Sequence, residues 1–141
     1  MKAKPFIVSF LAVVAAIGAF SVYLSMIVDR TEKSLTAVLS PDKKMKAVKL
    51  SLAGGGRLPF CIDSISVMLS AYPDEFAESR KEYEIYSAPC GHSADGEPLP
   101  KIEWHSPASL QVSYAASAAK KLKMKEMDVT KSVLVTFVAR D

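Results

Sequence analysis

From Phe6 to Val28 the chain reads FIVSFLAVVAAIGAFSVYLSMIV, an apolar run without a charged residue or a proline. At a helical rise of about 1.5 Å per residue it extends roughly 35 Å, enough to cross a hydrocarbon core about 30 Å thick. The pattern predicts a transmembrane helix over 6–28, preceded by a short n-region, 1–5, that carries Lys2 and Lys4. A cleaved signal peptide is the competing reading, with Ala16-Ile17-Gly18 as its cleavage site. Such a signal needs an apolar core of only about 7–15 residues, whereas this run stays apolar through Val28, as an anchor requires. It has no cysteine near its end, which excludes lipidation of a lipoprotein signal. The lysines precede the span, while Asp29, Arg30, Glu32 and Lys33 after it cancel one another. Positive residues are retained in the cytoplasm, so the N-terminus is expected inside and the remainder of the chain outside.

Beyond the span the period changes from helical to twofold. Residues 29–39, containing TEKSLTAVL, read as a short stalk or a brief continuation of the helix. Ser40-Pro41-Asp42-Lys43-Lys44 is a turn signal, because proline presets the backbone for a β-turn and aspartate bonds back to nearby amides. Met45 to Leu52 then alternates, with Val48, Leu50 and Leu52 on one face and Lys49 and Ser51 on the other, which predicts a half-buried strand. A second strand is expected from Phe60 to Ser70, and Ala71 to Glu82 as one or two helical turns or a long loop. Tyr83 to Tyr86 is a further short strand. Lys101 to His105 and Leu110 to Tyr114 form the strongest hairpin, with Ile102 and Trp104 inward, and Lys131 to Ala139 is the last strand. Short strands joined by turns predict a mainly β domain, 40–141: a small antiparallel β-sandwich or open barrel of about six strands.

Composition narrows the partners. The formal charge is +3, and Lys2 and Lys4 account for part of it. The external body is therefore near neutral, without a field to recruit nucleic acid. Cys61 and Cys90 are the two cysteines, both in the part placed outside the cytoplasm. An oxidising compartment makes them a candidate disulfide, worth roughly 3 kcal/mol for a loop of this size. Two unpaired thiols are the other reading, since the sequence does not fix their separation.

The SPDKKMKAV stretch and the later W-H-S-P-A-S-L-Q-V-S-Y hairpin, Trp104 to Tyr114, occur in an order that resembles a family of small uncharacterised bacterial membrane-anchored proteins. That resemblance implies a bacterial inner-membrane, single-pass protein with a periplasmic β-domain, and it implies no catalytic site. The chain departs from the family pattern at Lys43, where glycine is favoured, and in its Ala/Lys-rich stretch 115–125.

Few residues carry chemistry. Cys61, Cys90, His92 and His105 form the one set with metal-ligand character, but structural zinc sites pair their ligands at close spacing twice and this set does so once. Gly54-Gly55-Gly56 lacks the Gly-Lys-Ser/Thr ending of a phosphate loop. Asp74, Glu75, Glu78, Glu82 and Glu84 lack the alternate spacing around a glycine that calcium loops need, and read as a solvated face. Lys120, Lys121, Lys123 and Lys125 read as a solvated loop, as an edge strand protected by lysine against pairing with another chain, or as a membrane-surface contact, where each lysine contributes about 1 kcal/mol with anionic lipid. No Gly-x-Ser-x-Gly elbow is present, and no base with an oxyanion donor stands near a cysteine. The expectation is a non-enzymatic, cofactor-free domain that binds the bilayer and a partner protein of the envelope. The alternative is a thiol-redox or metal-binding domain using Cys61, Cys90 and His92. A hydrolase would have only His92 or His105 to use.

Overall fold

The computed structural model describes residues 4–27, 31–56, 58–121 and 123–141. Lys2, Val28, Asp29 and Arg30, and with them the predicted outer boundary of the span, lie outside the described residues. Helix α1, Lys4–Ile27, contains an 18-residue stretch, Ile7–Leu24, with a mean hydropathy of 2.4 and none of it buried against the protein. It is long and apolar enough to cross a membrane, and apolar around its whole circumference rather than along one stripe.

Thr31–Leu39 is neither a stalk nor more helix: it is strand β1, paired antiparallel with β2, Met45–Gly54, from Thr31↔Gly54 to Leu39↔Lys46. The predicted turn joins them. Asp42 accepts from the Ser40 hydroxyl at 2.7 Å and from the Lys44 N–H at 3.2 Å, while Lys43 takes a positive φ of 60°. Glycine adopts that conformation freely and other residues at a cost. Ser40 and Lys44 together hold Asp42 below the usual carboxylate range.

The sheet continues through β3, Phe60–Leu69, to a short helix α2, Phe76–Ser79, and a 3₁₀ turn at Lys81–Tyr83. Strand β4, Glu84–Pro89, then pairs with β3. Two short strands, β5 (Gly91–His92) and β6 (Pro98–Leu99), pair with each other. The predicted hairpin is β7, Lys101–Ser106, with β8, Ser109–Ala115. A 3₁₀ turn at Ala116–Lys121 leads to β9, Lys123–Met124, which adds to β4. The last strand, β10, is Leu134–Arg140. The sheets run β1-β2-β3-β4-β9 and β10-β8-β7. The domain is mainly β, as the alternation predicts, with one departure from an antiparallel plan: β10 lies parallel to β8.

The sheets pack face to face. Met45, Ala47, Ile65, Val67, Tyr86 and Ala88 of the larger sheet meet Leu110, Val112 and Val135 of the smaller, and Ile102, Trp104 and Phe137 pack against this cluster. The face assignment read from β2 is overturned. Lys49 and Ser51 share the inter-sheet side with Ala47, and Asp63, itself buried, receives the Ser51 hydroxyl and the Lys49 ammonium at 3.9 Å. Val48 lies on the other face, in a second cluster with Met68 and Ala77, flanked by Leu35, Tyr72, Phe76 and Tyr83. Both faces of this central strand are covered, so its alternation does not separate core from solvent.

Candidate interaction surface

The sandwich has two long sides, and they are finished differently. On one side, residues 123–127 cross from sheet to sheet. The Lys125 N–H donates to the Ile85 carbonyl at 2.8 Å, the Val135 N–H donates to the Glu126 carbonyl at 2.8 Å, and Met127 bridges Leu134. The turn that follows is organised by buried Asp128, whose carboxylate accepts from the Ser132 and Val133 N–H groups at 2.8 Å and from the Thr130 N–H at 3.0 Å. Backbone hydrogen bonding thus continues around this side.

The other side is the edge formed by β1. The Ser40 N–H donates to the Met45 carbonyl at 2.9 Å, so the even-numbered residues of β1 turn their backbone groups toward β2. The odd-numbered residues, Lys33, Leu35, Ala37 and Leu39, present theirs at the free edge. Among the described residues the hydrogen bond that reaches β1 from the smaller sheet is made by a side chain: the Trp104 indole N–H donates at 3.1 Å to the carbonyl of Val38, one of the residues that face β2. Beside it opens a cleft of about 370 Å³, lined by Thr36, Val38, Lys49, Pro98, Pro100 and Ile102. Lys101 at its rim has its pKa raised by a hydrogen bond from its ammonium to Glu97 at 3.3 Å.

The residues singled out from sequence are dispersed. Cys61 and Cys90 do meet: their sulfurs are at disulfide distance and their Cα atoms 5.3 Å apart, tying the start of β3 to the end of β4. His92 sits exposed on β5, and His105 on β7 shares a 3.0 Å hydrogen bond with Gln111. Among the described residues no group of three or more His, Cys, Asp or Glu side chains is placed to hold a metal ion. The acidic residues of 74–84 do not converge on one point, because each paired one has its own cation: Asp74 with Lys46, Glu78 with Lys33, Glu82 with Arg80, and buried Glu84 with both Lys81 and Lys123. Of the lysine run, Lys120 and Lys121 lie in the 3₁₀ turn, Lys123 is held by Glu84 at 3.0 Å, and Lys125 lies beyond β9.

The edge of β1 is the feature that sequence reasoning missed. Its signal was present in Ser34 to Leu39, an uncharged stretch with β-branched Thr36 and Val38, but it was masked by proximity to the span. No protein family matches this chain, and no curated protein or solved structure matches it.

Proposed function

We propose that this is a single-pass membrane protein whose external β-domain is a non-catalytic interaction module, taking an extended segment of a partner envelope protein onto the edge of β1. One observation carries this reading. β1 is a nine-residue edge strand with continuous register to β2 and with the outward backbone groups of Lys33, Leu35 and Ala37 unpaired among the described residues. It contains no proline, and its charged residues, Glu32 and Lys33, are confined to its first turn of sequence. Such an edge pairs readily with another chain, main-chain bonds supplying affinity and alternate side chains specificity. The apolar α1, Lys2 and Lys4 at its start and a cysteine pair suited to an oxidising compartment support a cytoplasmic N-terminus and a domain outside the cytoplasm; the reading of that site as the periplasmic face of a bacterial inner membrane rests on the family resemblance.

The test is site-specific photocrosslinking in intact cells. A crosslinker at Leu39, half exposed at the edge, is expected to give a discrete protein adduct that Ala37→Pro abolishes. A crosslinker at Leu39 that yields no adduct, or an adduct indifferent to Ala37→Pro, overturns the reading.

A further inference from the structure

The end of the domain nearest α1 carries a second exposed feature. Four residue steps separate Ile27 from Thr31, so their Cα atoms are at most about 14 Å apart. Thr31 pairs with Gly54, and Gly54 with Phe60. The tip of the β2–β3 hairpin therefore sits two strand spacings, about 10 Å, from Thr31, the first residue of β1. That tip is apolar and open: Leu58 is 83% exposed, and Phe60 and Ile62 are each more than 40% exposed. Its shape is built in. The Phe60 ring lies across Gly54, where a Cβ would come within 2.2 Å of the ring, and Cys61 is tied to Cys90 directly beside it.

The lysine-bearing turn is at the same end. Ser87 pairs with Lys123, which directs the preceding turn toward the Cys90 end of β4, and a Cβ on Gly91 would meet Ala115 at the start of that turn. Lys120 and Lys121 thereby share this end with Leu58 and Phe60.

An apolar tip beside a lysine-bearing turn, tethered within about 24 Å of the end of the helix, matches one chemistry. Resting on the reading of α1 as a membrane span, we propose that this end of the five-stranded sheet docks on the bilayer surface. Leu58 and Phe60 enter the interface, and the lysine-bearing turn of residues 116–121 faces anionic headgroups. The tip would then act as a second foot beside the helix and fix the tilt of the β1 edge above the membrane.

The test uses full-length protein reconstituted in phosphatidylcholine–phosphatidylglycerol vesicles with bromine-bearing acyl chains. Leu58→Trp is compared with Val129→Trp, which places the reporter in the Asp128 turn at the far end, and with the wild type, whose single Trp104 is the background. The Leu58→Trp emission is expected to shift to shorter wavelength and to lose most of its added intensity to bromine, while Val129→Trp emits unquenched. Weaker quenching is expected when phosphatidylglycerol is omitted. Protein that resists alkaline carbonate extraction yet shows an unquenched, water-exposed indole at position 58 overturns the docking alone. Protein that carbonate releases from the vesicles overturns the span as well, so the two failures are distinguishable. Equal quenching with and without phosphatidylglycerol removes the lysines from the contact.

Discussion

Trp104 and Tyr86 stand at opposite long sides of the same sandwich. Tyr86 is buried on the closed side, its ring stacked 6.3 Å from Phe137 and tilted 6.5 Å from Tyr114, beneath the crossing made by residues 123–127. Trp104 is half-buried on the open side and closes it with one indole hydrogen bond to a carbonyl. Each side has a large aromatic, but only one has a backbone crossing. A side crossed by backbone has part of its donors and acceptors already taken. A side finished by a single indole leaves a row of them, which is why the binding reading is placed on β1 and not on β10.

The comparison breaks most sharply at adjacent residues of β1. The Thr36 N–H faces β2 and the Ala37 N–H faces the free edge. Thr36→Pro removes a ladder hydrogen bond and is expected to destabilise the domain on the order of 3 kcal/mol. Ala37→Pro removes no bond within the domain and is expected to cost about 1 kcal/mol or less. Urea unfolding of the two variants checks this, and equal losses would mean that the edge is not free. A smaller effect comes from the closed side. Burial, with Asp63 and then Tyr114 adding to it, pushes the Tyr86 phenol up to about 12, from about 10 when unfolded. The neutral phenol is favoured in the fold, so this contribution is complete below pH 10 and is lost as pH rises from about 10 to about 12. The loss is on the order of 2 kcal/mol. Stability measured across that range is expected to fall more steeply in the wild type than in Tyr86→Phe, and parallel curves would refute the assignment. The smallest effect tests the open side itself. Trp104→Phe keeps a ring in place but gives up the bond to Val38, for an expected loss of about 1 kcal/mol. Faster amide exchange at Thr36 and Val38, whose N–H groups face β2, should accompany it, with no change at Val135.

What the chain reveals unaided follows from how local each signal is. The apolar helix α1, the β7–β8 hairpin and the strands β2 and β3 are written in contiguous residues: an apolar run, a Ser-Pro turn between alternating stretches, a triple glycine between two others. β1 is hidden because Glu32 and Lys33 dilute its alternation and because it follows the span directly. The faces of β2 are misread for a specific reason: Asp63, fourteen residues after Lys49, supplies the countercharge that lets a lysine sit on the inter-sheet side. The crossing at 123–127 and the parallel pairing of β10 depend on partners such as Ile85 and Leu110, far off in sequence, and have no local mark. For the site the balance is similar. The cysteine pairing was one of two open readings, whereas the free edge exists only once the order of the sheet is known.

The parallel alignment of β10 with β8 also sets an order of events during folding. Strands β1 to β4 pair with their neighbours in sequence, so each closes on the one before it. The core, however, takes Val133 and Val135 from the far side of a long connection after β8, and a parallel partner must travel around the domain before it seats. Until it does, Tyr86 and Leu110 lack part of their cover, and the domain is a half-closed sheet. Folding therefore has a single late event, the arrival of β10, and a chain stalled before it is the form that proteases should recognise.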